Sequence, residues 1–268
     1  LPAWRKLAPA KSEDAWIESL AFLGTRLAIT SFPNGRAIRL EAFALSGKEA
    51  ALLKAGFGGS IVEGKARAVP AARKPIRIRR KLTVVDSTKA LRVFPSAIVI
   101  PAGMAFGTGE HATTASCLRL LCDASKALQG RDWSLLDLGT GSGILAIAAA
   151  KLGAARVEAW DFDRDAIRVA RENVRVNAAA VTLKHGDVLA RAPRGSWSIL
   201  TANLYSEALI RGAGKMADAV KPGGRLILSG ILREQEAACI RAFRKTGVRL
   251  EKRVRSGKWS ALLWVKNC

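Results

Sequence analysis

The run Leu135-Leu136-Asp137-Leu138-Gly139-Thr140-Gly141-Ser142-Gly143 constrains what this chain can fold into more than any other stretch. The apolar segment ending at Leu138 has the character of a buried parallel strand, and Ile144 to Leu152 behind it is strongly helix-forming. Three glycines at alternate positions join the two. Gly accepts positive φ and carries no Cβ, so such a turn brings main-chain amides close to a ligand. The helix behind it offers unpaired N–H groups to the same place. A dinucleotide fingerprint, G-x-G-x-x-G, puts its third Gly five residues after its first. Here the third follows by four, and an acid, Asp137, stands two residues before the turn.

The rest of the chain decides between ligand classes. Strands are predicted at 133–138, 156–161, 181–185, 197–202 and 225–230, with helices at 142–152, 163–177, 205–220 and 233–246. This alternation predicts a parallel sheet with helices on both faces. The ending differs, because Val248 to Arg255 and Lys258 to Lys266 flank Ser256-Gly257 as a hairpin. The last strand must therefore enter the sheet antiparallel. A dinucleotide-binding fold lacks this reversed strand, whereas the common methyltransferase fold has it. The Asp-x-Gly-x-Gly-x-Gly spacing likewise resembles the cofactor turn of S-adenosylmethionine methyltransferases.

Upstream, residues 1–69 follow the order β-α-β-β-α-β, the split βαβ or ferredoxin-like pattern. A strand is predicted around Trp4 to Leu7, and a helix capped at Ser12 follows it. Thr25 to Phe32 and Ala37 to Leu45 form a hairpin around Pro33-Asn34-Gly35-Arg36. A helix over Gly47 to Gly56 and a strand over Ser60 to Val69 complete the pattern. Residues 70–75 have a linker composition, and 76–268 form the second domain. There Ile76 to Val85 and Leu91 to Ile100 read as strands, the second interrupted by Pro95. A glycine-punctuated loop from Pro101 then leads into a helix reaching about Gln129, with Thr108 as its candidate cap.

The 268 residues, 49% of them hydrophobic, suffice for one good-sized core and a small second domain. No apolar run approaches the roughly 20 residues that span a bilayer. Leu1 to Ala10 lacks the apolar region of a signal peptide, and residues are expected to precede Leu1 because it is not Met. Four cysteines without C-x-x-C spacing and only two histidines give no zinc pattern, so no metal is expected and a reduced cytoplasm is the default. The formal charge is +22, of which residues 1–90 carry +10 and residues 241–268 carry +8. The run Arg73, Lys74, Arg77, Arg79, Arg80 and Lys81 reads equally as a solvated linker and as a polyanion-facing surface.

In an open α/β sheet the ligand lies at the carboxyl ends of the strands. The turn of Gly139, Gly141 and Gly143, preceded by Asp137, is therefore the candidate cradle for the methionine part of the cofactor. Asp161, 22 residues after Gly139, can accept from both ribose hydroxyls, while Asp163 suits the cap of the following helix. Asp187 either reaches the adenine amino group or is a turn residue. Asn203 offers a neutral carbonyl beside the transferable methyl group, or caps the helix from Tyr205.

Ala105-Phe106-Gly107-Thr108-Gly109 with His111 and Thr113-Thr114, Asp137 to Ala148, Asp161-Phe162-Asp163, Ala202-Asn203-Leu204-Tyr205 and Ser229-Gly230-Ile231-Leu232 together resemble the ribosomal protein L11 methyltransferases, the PrmA family. The resemblance covers about residues 76–268. It implies a Rossmann-like class I methyltransferase sheet of seven strands, preceded by a small ferredoxin-like domain that docks the substrate protein. It also implies cofactor contacts at Thr114, Gly139, Asp161 and Asn203, with Phe106 covering the cofactor. One departure is Asp86-Ser87-Thr88, which stands where the family often has a Trp.

The expected chemistry is direct attack by a lysine ε-amine, or an N-terminal amine, of a ribosomal protein on the methyl group of S-adenosylmethionine. Asn203 orients the lone pair and water takes the proton. Contact with ribosomal RNA through the basic surface, no membrane and a monomeric state complete the expectation. The competing functions are an RNA methyltransferase of the same fold and a non-catalytic ribosome-binding module. Base amino-methylating enzymes usually carry Asn/Asp-Pro-Pro-aromatic where this chain has Asn203-Leu204-Tyr205.

Overall fold

The computed structural model of the protein describes residues 2–32, 36–43, 45–63, 74–101 and 109–268. The predicted turn at Pro33-Asn34-Gly35, residues 64–73 and the Phe106-Gly107-Thr108 loop lie outside the described residues. The chain divides into two compact units, Leu1–Ala71 and Ala72–Cys268.

The first unit runs β1 (Pro2–Pro9), α1 (Glu13–Ser19), β2 (Leu27–Ser31), β3 (Ala37–Ala42), α2 (Gly47–Phe57) and β4 (Ser60–Glu63). Its sheet is antiparallel in the order β2-β3-β1-β4, the ferredoxin-like arrangement. Trp4 anchors the small core: it is fully buried, and its indole N–H donates to Gly58 O at 2.6 Å. Ser46 and Glu49 close a capping box at the start of α2, a device worth about 1 kcal/mol. Ser12 directly precedes α1. It ends a short 3₁₀ turn, and its hydroxyl donates to Pro9 O at 2.7 Å.

The second unit opens with a difference from the sequence reading. Ile76 to Val85 is a hairpin of β5 (Ile76–Ile78) and β6 (Leu82–Val85), not one strand. The turn is closed by Lys81 N–H to Ile78 O at 3.0 Å, with Arg79 and Arg80 at φ 52° and 58°. Two residues of positive φ are what a type I′ turn needs. Arginines carry no turn signal of the Asn-Gly kind, so the sequence hid it. An ion pair from Arg79 to Asp123 at 3.0 Å fastens the turn. Within Leu91 to Ile100 only β7 (Ile98–Val99) is extended, because a 3₁₀ turn over Thr88–Arg92 and Pro95 occupy the rest.

Next come α3 (Ala112–Lys126), β8 (Ser134–Leu138), α4 (Ile144–Lys151), β9 (Arg156–Asp161), α5 (Arg164–Val176), β10 (Thr182–His185) and β11 (Trp197–Asn203). α6 (Ser206–Asp218), β12 (Val220–Leu232), α7 (Glu236–Arg244), β13 (Val248–Ser256) and β14 (Trp259–Lys266) complete the unit. The seven-stranded sheet has the order β10-β9-β8-β11-β12-β14-β13, and β14 alone runs against its neighbours. This is the class I methyltransferase sheet. β8, the first strand of this sheet along the chain, is where the direction of winding changes between β9 and β11, which makes its carboxyl end the topological switch point.

Two apolar layers sandwich the sheet. One joins α3 and α4 to Leu135, Ile199, Ile227 and Leu263; the other joins α6 and α7 to Leu136, Leu200, Leu228 and Trp264. Alternate residues of each strand serve opposite layers, as the period of two demands. α4 is apolar throughout Ile144–Ala149, all buried, because it lies inside the first layer; each large side chain so buried contributes about 1.5–3 kcal/mol. Among the described residues no helix is long and apolar enough to cross a membrane, and no cluster of side chains could hold a metal ion.

Candidate active site

The carboxyl end of β8 passes straight into the glycine turn. Gly139, Gly141 and Gly143 have φ of 70°, 54° and 82°, the left-handed region that only glycine enters without strain. Gly139 N–H and Thr140 N–H both donate to Trp160 O at 2.9 Å, which pins the turn to β9. Gly143 sits against Ala170, where an added Cβ would lie 3.3 Å from that methyl group, so the turn also lets α5 approach closely.

Asp137 lies beneath the turn and reaches no solvent. Thr140 and Thr201 hydroxyls donate to its two carboxylate oxygens at 2.6 Å each. Burial pushes its carboxyl up to about 6, against the pull of those two hydrogen bonds. Asp137 positions the turn and β11 through two threonines that the sequence reading had passed over.

Asp161 ends β9 beside the turn. It accepts from Gly141 N–H at 2.9 Å and from Asp163 N–H at 3.0 Å, and burial raises its pKa. Asp163 caps α5, its side chain accepting from Asp165 N–H, as the sequence predicted. Phe162 between them is 72% exposed, an apolar ring on a site edge that sequence reading gave no role. Asp187, beyond β10, is exposed and accepts from Leu189 N–H at 2.7 Å, so its turn role is realised in the fold.

Asn203 ends β11 and is not the cap of α6; that position is Tyr205, which makes no capping bond with its side chain. The Asn203 amide donates to Thr113 Oγ1 at 3.2 Å and Thr114 Oγ1 at 3.5 Å. Thr113 Oγ1 in turn lies 2.8 Å from His111 Nδ1. His111, not Thr108, is the cap of α3, its Nδ1 accepting from Thr113 N–H. A ring nitrogen that accepts is unprotonated, so the Thr113 hydroxyl donates to it and keeps its lone pairs for Asn203. Burial lowers the His111 pKa, favouring that neutral ring, and Trp259 packs edge-on against it at 5.2 Å. The chain of donors fixes which end of the Asn203 amide faces the threonines. Its carbonyl oxygen accepts nothing among the described residues.

Leu204 is wedged between two glycines. Its side chain closes over Gly139, where any Cβ would collide with Leu204 Cδ2, and its backbone lies against Gly230 at φ 82°. A Cβ at Gly230 would stand 2.9 Å from the Leu204 carbonyl carbon. Ser229, paired with Asn203 across β11 and β12, donates through its hydroxyl to Thr113 O at 3.4 Å. Tyr205 follows at 57% exposure. The structure therefore gathers Thr113, Thr114, the glycine turn, Asp161 and Asn203 at one edge of the sheet. Phe106 lies outside the described residues.

Residues 66–267 match the family model of the ribosomal protein L11 methyltransferases (PrmA). A protein of Geobacter metallireducens named ribosomal protein L11 methyltransferase is 45% identical over 192 residues, covering 71% of this chain and 62% of that protein. Its namesake from Geobacter sulfurreducens is 43% identical over the same shares. The crystal structure of a ribosomal protein L11 methylase from Lactobacillus delbrueckii subsp. bulgaricus superposes with a TM-score of 0.63 at 28% identity, covering 73% of this chain and all of that one. The chain thus spans about 62% of the length of the Geobacter relatives it matches. With that match and the seven-stranded sheet, this chain belongs to the ribosomal protein L11 methyltransferase (PrmA) family.

Proposed function

We propose that this protein transfers methyl groups from S-adenosylmethionine to lysine ε-amines of ribosomal protein L11. The observation that carries the reading is Asn203: its amide is turned by Thr113 and Thr114 so that the carbonyl oxygen is left to accept. A neutral acceptor at that strand end suits an amine nucleophile, whose N–H it can hold while the lone pair points away.

The residues present fit the cofactor. The left-handed glycines keep side chains off the turn, Asp161 stands where ribose hydroxyls need an acceptor, and Phe162 offers a flat apolar face to a base. Two carboxyl groups, Asp137 beneath the turn and Asp161 beside it, lie next to the seat of the donor. When bound, S-adenosylmethionine supplies the electrophilic methyl group. The protein's part is positional: Gly139 to Gly143 seat the donor and Asn203 aligns the acceptor. A lysine amine, of pKa about 10.4 in water, must first be deprotonated, which a dry pocket favours. No side chain of the site is an obvious base, so water takes the proton and most of the rate gain comes from orientation. The ferredoxin-like unit docks the substrate, and Thr114, Gly139, Gly141, Gly143, Asp161 and Asn203 are the assigned contacts, with Asp187 at the adenine end.

Incubating the protein with S-adenosylmethionine and purified L11, followed by intact-mass spectrometry, is expected to give whole-methyl increments on L11. In the same assay Asn203→Ala should lower turnover by about 10²–10³, the scale of losing one oriented polar group at a reacting centre, with cofactor affinity changed far less. Equal losses in both would make Asn203 structural. Label appearing in RNA but not in L11 would replace the substrate class.

A further inference from the structure

We propose that the face between α7 and the end of β13 is a binding groove for the phosphodiester backbone of single-stranded RNA. A groove of about 440 Å³ opens there, lined by Arg233, Arg241 and Arg244 from one side and Arg253 and Arg255 from the other, with Glu236 at its floor. Five guanidinium groups thus meet one carboxylate. The carboxylate is already spent: Glu236 is buried, bonds Arg255 at 2.8 and 3.1 Å and Arg253 at 3.2 Å, and is held down to about 2, chiefly by Arg255. Arg233, Arg241 and Arg244 are exposed and form no ion pair among the described residues.

Such an arrangement is costly unless an anion comes to it, since neighbouring like charges repel. The geometry selects the anion. Arg241 and Arg244 are one helical step of three apart, about 4.5 Å along the axis, and Arg253 and Arg255 are about 6.6 Å apart along the strand. Both strand arginines reach Glu236, so they project toward α7 and form a second row facing the first. Two rows of planar forks suit a chain carrying phosphates in sequence, because each guanidinium can take two oxygens of one phosphate. One small anion would leave most of the groove unanswered. Arginine also outnumbers lysine at the lining by five to none.

The groove's position gives it a purpose. β13 runs parallel to β12, both being antiparallel to β14, so Arg253 and Arg255 lie at the same sheet edge as Asn203. The turn after β13 connects the two places: Arg233 N–H donates to Lys258 O at 2.8 Å, and the next residue, Trp259, packs on His111 at the active site. RNA held in the groove would therefore pass beside the acceptor site without entering it. This goes beyond methyl transfer and stands or falls without it.

The test is fluorescence anisotropy of the whole protein with a labelled RNA of about 12 nucleotides, over a series of salt concentrations. Arg241→Glu with Arg244→Glu should weaken binding at least about tenfold near 100 mM salt and make the log–log salt slope shallower by about 1.4, two phosphates at about 0.7 each. The control, Arg168→Glu with Arg171→Glu on α5 at the opposite end of the sheet, should bind as the parent does. The proposal is overturned if the groove variant binds RNA like the parent, if the control weakens equally, or if the groove variant loses binding to anionic lipid vesicles or acidic peptide instead of RNA. Should the double reversal fail to fold, Arg241→Gln with Arg244→Gln replaces it, with the same expected slope change of about 1.4. Calorimetric titration with S-adenosylmethionine is expected to be the same for all variants, so failure of the groove and failure of the methyl-transfer reading are told apart.

Discussion

Replacing Asp137 with asparagine tests how the core of the site is built. Asp137 is wholly buried, both oxygens are taken by threonine hydroxyls, and its carboxyl stands at about 6 instead of the ordinary 3.8. A gap of that size is worth about 3 kcal/mol. Because the folded value is raised, the fold holds the proton more tightly than the unfolded chain. The resulting stability is fully present below pH 3.8 and is lost as pH rises through about 6. At neutral pH the protein thus carries a buried charge at that cost. Asp137→Asn removes the charge but turns one acceptor into a donor, so Thr140 or Thr201 must rotate its hydroxyl, at about 1 kcal/mol. The variant should be more stable than the parent at pH 7 by about 2 kcal/mol and less stable at pH 4 by about 0.5 kcal/mol. Urea unfolding of both proteins from pH 4 to 8 checks this. Parallel stability profiles would refute the buried-charge argument, and so would a variant weaker than the parent at pH 7.

Gly230→Ala should place a methyl group against the Leu204 backbone at φ 82°, cost about 1–2 kcal/mol from the left-handed conformation alone, and displace Asn203; loss of turnover exceeding loss of cofactor affinity checks it. His111→Asn keeps an unprotonated acceptor for Thr113 but does not titrate. The parent's log rate should fall with a slope near one per pH unit while only the amine is protonated, and more steeply below the lowered His111 value, whereas the variant should keep the shallower slope throughout. Glu236→Gln removes a carboxyl held down to about 2, whose stabilisation is present above the ordinary 4.5 and lost as pH falls through about 2; the variant's acid unfolding between those values should be less steep than the parent's.

Much of the fold was legible because it rests on local chemistry. The period of two in the strands, the glycines that only a tight strand-to-helix turn requires, and the Asp163 cap each need no distant partner. The errors came where a partner far along the chain overrides the local pattern. Arg79 and Arg80 occupy a turn without glycine, and Arg79 is fastened there by Asp123. The apolar run from Leu91 to Ile100 is largely unpaired in the sheet, despite its strand-like composition.

The site divides in the same way. By itself the sequence determined that there would be a glycine turn, an acid at the end of the next strand and an asparagine at the end of β11, because chain order sets which residues follow which strands. It could not say which way each side chain is committed. Only packing decided that Asp137 is sealed beneath the turn by Thr140 and Thr201, and that Asp161 is bonded to Gly141. Packing likewise decided that Asn203 gives its amide to threonines about 90 residues away in sequence. A hydrogen bond depends on ångström distances between atoms whose separation along the chain carries no such information. Assembling β8, β11, β12 and α3 at one edge therefore turned a list of polar residues into an oriented site.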